Sequence, residues 1–129
     1  MNILFIASEV EGFAKTGGLA DVAKALPLAL KRRGHDVRIV MPFYSTIAGR
    51  EKAGHLGGFT LPTRPGHTDI PYQVRELMLE DVPVMLIEFP NYFDRASLYA
   101  ENNSAYPANG DRFAFLSAAA LQLTEQIGF

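Results

Sequence analysis

The sequence predicts an α/β fold built on an incomplete, Rossmann-like parallel sheet with a β-hairpin. Three observations indicate this class: an apolar run at residues 2–8, a helical apolar period at 19–34, and a second apolar run at 36–41. Continuous apolar runs are typical of strands that are buried on both faces of a parallel sheet. Strand, helix and strand in this order form a βαβ unit with a right-handed crossover.

The first predicted helix is amphipathic. Its apolar period consists of Leu19, Val22, Leu26 and Leu30, with Ala23 and Ala29 on the same side. This face is expected to pack on the sheet, because the charged residues lie away from its centre. Gly34 should end the helix, and Pro27 removes one helical hydrogen bond near the middle.

The rest of the chain predicts a hairpin and a last helix. Residues 43–58 look irregular, while 72–79 and 82–89 are strand-like segments separated by a two-residue turn. A long loop is expected at 91–109 and a helix at 111–127. Since a doubly wound sheet would continue with a further parallel strand, we expect the first part of a larger domain.

The composition is that of a globular chain and excludes several functions. The 129 residues are 48% hydrophobic and carry a formal net charge of −2, which argues against a nucleic-acid partner. Without cysteine there is no disulfide and no thiol nucleophile, and the three histidines lack metal-ligand spacing. The N-terminal apolar run is too short for a leader or a membrane span. We therefore expect a cytoplasmic protein without a membrane partner.

A glycine-rich loop between the first strand and the first helix is the best candidate for a binding site. It contains Lys15 and the pair Gly17-Gly18. Backbone N–H groups at a helix N-terminus favour anions, and a lysine beside them suits a diphosphate. The spacing matches neither a P-loop nor a dinucleotide fingerprint. A tight turn with a solvated lysine is the alternative, because glycine-rich turns are common between strand and helix.

Two stretches, near the start and toward the end of the chain, carry longer motifs. They comprise Ser8-Glu9-Val10, residues 13–22, Ala25-Leu26-Pro27, Tyr92-Phe93-Asp94-Arg95, Leu98-Tyr99, Tyr106-Pro107, Asn109 and residues 112–121. In this order they resemble the N-terminal part of bacterial glycogen synthases and plant starch synthases. The sequence departs from the family pattern at Glu11-Gly12, where a small residue and proline are common, and at Ala108, where aspartate is common.

The resemblance implies the start of the N-terminal domain of a two-domain, GT-B type glycosyltransferase. Such an enzyme transfers glucose from ADP-glucose to the non-reducing end of an α-1,4-glucan with retention, without a metal or cofactor. Residues that match the family's ADP-glucose contacts are Lys15, Gly17 and Gly18. Those expected on the sugar or acceptor side are Glu9, Asp21 and Tyr99. The catalytic residues are expected beyond Phe129, so the isolated chain is expected to be inactive.

The residues leave some alternatives open. Asp21 also suits the first turn of a helix as a dipole partner, Glu9 could be a solvated loop residue, and Tyr99 could pack the loop down. The rival functions are a non-enzymatic module that binds a nucleotide sugar or phosphate, and a remnant without a ligand. The sequence also leaves open the oligomeric state, the acceptor chain length and the choice between ADP-glucose and UDP-glucose.

Overall fold

A computed structural model describes residues 1–129. The elements in chain order are β1 (Asn2–Ile6), α1 (Gly18–Arg32), β2 (Asp36–Pro42), a 3-10 turn (Arg50–Lys52), β3 (Gly54–Leu61), β4 (Ile70–Leu79), β5 (Val82–Glu88), α2 (Pro90–Phe93), β6 (Ala100–Glu101), β7 (Ser104–Ala105) and α3 (Asn109–Ile127). None of the helices combines the length and apolarity needed to cross a bilayer.

Five strands form one mixed sheet in the order β1-β2-β5-β4-β3. Strands β1, β2 and β5 are mutually parallel, with Ile3 beside Val37 and Val40 beside Met85, whereas β5, β4 and β3 pair antiparallel. The predicted α/β class, the βαβ unit and the β4–β5 hairpin are confirmed. The hairpin turns at Glu80, whose φ of 52° is in the left-handed region that tight hairpin turns use.

The core centres on β2 and β5. The consecutive residues Ile39, Val40 and Met41 are all fully buried. Because successive side chains of a strand point to opposite faces, both faces of the sheet are covered at this point. Helix α1 packs against β2 and β5, and α3 packs against β2, β3 and β5.

The predicted packing face of α1 is only partly right, because Ala23 is buried and Leu30 packs against the core, but three of its larger residues do not. Leu19, Val22 and Leu26 are 50%, 54% and 44% exposed. The buried residues of the helix are Ala20, Ala23, Pro27 and Leu28. Small side chains at positions 20, 23 and 27 also follow the helical period, and they let the helix backbone approach the sheet closely. Leu19, Val22 and Leu26 therefore lie toward solvent in this chain.

Two strand predictions also need correction. The first strand ends at Ile6 and is only half-buried, because β1 lies at the edge of the sheet. Strand β3 lies largely within the stretch predicted to be irregular. Its glycines resemble turn signals, and one of them, Gly57, adjoins a register shift in the β3–β4 pairing.

The predicted long loop at 91–109 contains local structure. The short helix α2 opens it, and strands β6 and β7 form a small hairpin. Asn102 and Asn103 make the hairpin turn with φ values of 52° and 61°. Asparagine tolerates this conformation better than most residues, which explains a tight turn here without glycine. The hairpin fixes the position of Tyr99, which directly precedes β6.

Candidate functional site

The loop after β1 folds back on itself before α1 begins. Val10 and Ala14 exchange two backbone hydrogen bonds, with N–O distances of 3.0 and 2.9 Å. Gly12, at the tip, has a φ of +92°, which suits a residue without a Cβ. The Glu11 N–H donates to the Ala20 oxygen at 3.0 Å and so ties the loop to the first turn of α1.

Gly17 and Gly18 form the entry to α1. Gly17 precedes the helix with an extended backbone (φ −166°, ψ −162°), which any residue can adopt. A Cβ built on either glycine would meet no atom within 4 Å. The fold itself therefore does not require glycine at these two positions. Their effect is to keep space open in front of the helix N-terminus, where N–H groups lack intrahelical acceptors.

Glu9 lies buried behind this turn, with only 2% of its surface exposed. Its Oε1 accepts the N–H groups of Thr16 and Gly17 at 3.2 and 3.1 Å. Its Oε2 accepts the hydroxyls of Thr16 and Tyr99, both at 2.7 Å. Burial disfavours the charged carboxylate, but the hydrogen bonds outweigh this and lower the pKa of Glu9 below its ordinary value. Glu9 is thus a fully hydrogen-bonded carboxylate.

Tyr99 reaches this carboxylate from the far end of the sequence. Its hydroxyl donates to Glu9 and accepts from the Ser8 hydroxyl at 2.7 Å. Burial, together with the neighbouring carboxylate, raises the pKa of Tyr99 to about 12. The hydroxyl therefore keeps its proton at neutral pH and remains a donor. The ring packs on Phe113 of α3 with centroids 5.7 Å apart.

Arg112 of α3 holds the backbone on which Tyr99 sits. The side chain is completely buried. Its Nη1 donates to the Leu98 oxygen and to Asn109 Oδ1, both at 2.8 Å, and its Nε donates to the Tyr92 oxygen at 2.6 Å. Burial lowers the pKa of Arg112. Carbonyl dipoles and nearby aromatic rings compensate its charge, with the guanidinium carbon 5.1 to 5.7 Å from the ring centroids of Phe93, Tyr106 and Phe113.

Lys15 and Asp21 form an exposed ion pair on the solvent side of the same turn. The Nζ to Oδ1 distance is 2.7 Å, and the side chains are 46% and 53% exposed. The hydrogen bond to Asp21 raises the pKa of Lys15 above its ordinary value, so the ammonium is charged at neutral pH. An ammonium has three N–H donors, and Asp21 uses one of them. Lys15 can therefore still bind an anion while it is paired.

The structure places all six residues predicted for the site around one turn. They are Glu9, Lys15, Gly17, Gly18, Asp21 and Tyr99. Sequence reasoning did not single out Ser8, Thr16 or Arg112, although each contacts this cluster or the loop behind it. An arginine beside the apolar run 113–116 was the available signal for a buried charge. No three His, Asp or Glu side chains lie close enough together to bind a metal ion.

The turn lies on an open surface. Two concave regions of about 240 and 720 Å³ occur elsewhere, one lined by Phe43, Arg50 and Glu88 and the other by Tyr92, Arg64 and Asp111 among others. Neither includes the glycine turn. The candidate site is therefore a single charged wall with a glycine opening, rather than an enclosed pocket.

Fold and site together define an α/β, Rossmann-like domain with a basic glycine turn between its first strand and first helix. The model of the starch synthase catalytic domain matches residues 2–129, and the chain belongs to this family. A glycogen synthase of Aeromonas hydrophila is 60% identical over 129 residues, and one of Photobacterium profundum is 57% identical. These matches cover the whole chain but only 26% and 25% of those proteins, so the chain spans about a quarter of their length.

A solved structure is similar as well. The catalytic domain of starch synthase IV from Arabidopsis thaliana, bound to ADP and acarbose, has a TM-score of 0.78 and 30% sequence identity. The similarity covers 98% of this chain and 25% of that one. The predicted family is confirmed by the family model, the relatives and the structure.

Proposed function

We propose that this chain forms one wall of the donor site of a retaining glucosyltransferase. In this function, glucose moves from ADP-glucose to the non-reducing end of an α-1,4-glucan. The family supports the reaction class, since relatives at 60% and 57% identity are glycogen synthases. The observation that carries the proposal is the exposed, charged Lys15 beside the open helix N-terminus.

The diphosphate of ADP-glucose fits the chemistry of this turn. Two N–H donors of Lys15 remain free beside Asp21, and Gly18, the first residue of α1, has an N–H without an intrahelical acceptor. The positive end of the helix dipole adds to this. When the glucosyl bond breaks, the leaving diphosphate gains negative charge, and these groups stabilise it most at that moment. Asp21, exposed beside Lys15, then belongs to the sugar or acceptor side.

A titration of the isolated chain with ADP tests the binding part. We expect amide NMR signals of Lys15, Gly17 and Gly18 to shift, and those of the distant Glu80 turn to stay unchanged. Adenosine, which lacks the phosphates, should not shift the first three signals. Shifts confined to another surface, or equal shifts with adenosine, would overturn the diphosphate assignment.

A binding module without turnover is the second candidate, because this chain supplies one open wall and spans a quarter of its relatives' length. A transfer reaction needs the donor and the acceptor to be held close together and in the correct relative orientation. A single wall does not provide this. We therefore expect the isolated chain to bind ADP without extending glycogen from ADP-glucose. Incorporation of labelled glucose by a pure sample would contradict the proposal that the catalytic residues lie beyond Phe129.

A further inference from the structure

We propose that Glu9 and Tyr99 are positioning residues that hold the glycine turn in its binding conformation from behind. The expected effect of these residues on ADP affinity rests on the proposed function. Their expected effect on the conformation of the turn does not. Both oxygens of Glu9 are occupied by protein donors, and the side chain is 2% exposed. A carboxylate has about four acceptor positions, so Glu9 has no lone pair left for a sugar hydroxyl.

The hydrogen bonds of Glu9 select which backbone donors face solvent. Thr16 and Gly17 point their N–H groups inward to the carboxylate at 3.2 and 3.1 Å. The N–H of Gly18, the first residue of α1, has no intrahelical acceptor, and the space around this glycine is open. The negative charge of Glu9 thereby stays on the inner side of the turn, away from the expected diphosphate.

Tyr99 locks this carboxylate because its own backbone is anchored. Its carbonyl oxygen accepts the Tyr106 N–H at 3.0 Å and the Asn109 Nδ2 at 2.9 Å. Arg112, completely buried, donates to the preceding residue Leu98 at 2.8 Å. The residues form a continuous path of hydrogen bonds from the guanidinium on α3 to the turn before α1. The two family motifs, about 90 residues apart in sequence, meet in this contact.

Replacement of Tyr99 by Phe tests the proposal with the smallest change. The ring contact to Phe113 is kept, and only the hydroxyl that donates to Glu9 is lost. We expect amide hydrogen exchange at Thr16 and Gly17 to accelerate about five- to tenfold, since one hydrogen bond to the carboxylate has gone. Glu9→Gln, which keeps the side-chain size but not the charge, should accelerate exchange at the same two amides.

Tyr106→Phe is the matched control. Tyr106 lies in the same loop, but its hydroxyl faces Ser97 at 3.2 Å instead of Glu9. Exchange at Thr16 and Gly17 should stay at the wild-type rate in this variant. Unchanged exchange in Tyr99→Phe, or equal acceleration in both tyrosine variants, would overturn the positioning role.

The affinity for ADP separates this inference from the proposed function. In Tyr99→Phe we expect ADP to bind several-fold more weakly, in step with the faster exchange. Weaker binding with unchanged exchange would mean that Tyr99 contacts the ligand directly, and would overturn the inference. Faster exchange in a chain whose wild type does not bind ADP would support the positioning role and refute the proposed function.

Discussion

Two carboxylates flank the same glycine turn in opposite environments. Glu9 is 2% exposed and accepts four hydrogen bonds from the loop and from Tyr99. Asp21 is 53% exposed and contacts the equally solvated Lys15. The buried carboxylate has lost its hydration and depends on its protein donors, whereas the exposed pair exchanges readily with water and ions.

The shape of the loop and the expected ligand contact therefore depend on different residues of one short segment. The inner side, formed by Glu9 with Thr16, determines the conformation of the turn. The outer side, formed by Lys15 with Asp21, is free to respond to an anion. Substitutions on the inner side should therefore change stability and, through the shape of the turn, also affinity, whereas those on the outer side should change affinity alone.

Lys15→Gln should give the largest effect on the outer side. Glutamine keeps the approximate size and hydrogen bonding but removes the charge, so ADP affinity should fall roughly ten- to a hundredfold. The thermal midpoint should not change, because Lys15 is 46% exposed and solvated ion pairs such as its pair with Asp21 contribute little to stability. Calorimetric titration and a thermal melt measure the two quantities.

Lys24→Gln is the control for that substitution. Lys24 lies on α1, with its Nζ 3.7 Å from Glu11 Oε2, and its side chain is 37% exposed. Its replacement should leave ADP affinity close to wild type. Equal affinities of the two variants would reduce Lys15 to an ordinary surface charge.

Glu9→Ala should give the largest effect on the inner side. It leaves the Tyr99 hydroxyl and the two backbone N–H groups without their acceptor, although water can reach the exposed Thr16 and Gly17. The free energy of unfolding should fall by about 1–2 kcal/mol. Asp21→Ala should change it much less. Urea denaturation of both variants checks the contrast, and equal losses would remove the distinction between the two sides.

The sequence predicted this site from chemistry and family motif, but not its division into two sides. Lys15 and the glycine pair could be proposed as anion contacts because the chemistry of a strand-to-helix turn depends on residues that are adjacent in sequence. The inner role of Glu9 depends on Tyr99, about 90 residues away, and such contacts are invisible to local patterns. Arg112 was missed because an arginine on a helix usually points to solvent.

The fold was predictable where hydrophobic period and turn chemistry agreed. Strand β2, the β4–β5 hairpin and helix α3 had clear signals of this kind. The packing face of α1 was not predictable, because its alanines and its leucines both follow the helical period. Strand β3 was not predicted, because its glycines indicated a turn more strongly than its alternation of apolar and polar residues indicated a strand. An edge strand also needs few apolar residues.

Two glycines of this loop differ in backbone conformation, and their replacement should have different effects. Gly12→Ala should cost about 1 kcal/mol of unfolding free energy, because alanine disfavours a φ of +92°.

Gly17→Ala should cost no stability, since its backbone is extended and its Cβ would meet no atom. ADP affinity should fall in Gly17→Ala, whose methyl group enters the open space before α1. A destabilised Gly17→Ala with normal affinity would assign this glycine to the fold instead.

Protonation of Glu9 at low pH should lower the free energy of unfolding by the smallest amount among these changes. The folded-state pKa of Glu9 lies below its ordinary value of 4.5, so its contribution to stability is present above that pH. This contribution is lost as the pH falls through the folded-state pKa, because the unfolded chain then binds the proton more readily. Protonation should cost less than Glu9→Ala, since the neutral acid keeps its size and one oxygen that accepts hydrogen bonds.

Other carboxylates also titrate in this range, so the measurement is a difference between two proteins. The free energy of unfolding of wild type and of Glu9→Gln is followed by urea denaturation between pH 7 and pH 3. The stability advantage of the wild type should be constant down to about pH 5 and should shrink below it. An advantage that persists unchanged at pH 3 would show that the charge of Glu9 does not stabilise the turn. Because glutamine matches this residue in size, the advantage would then come from the second oxygen of the carboxyl group rather than from its charge.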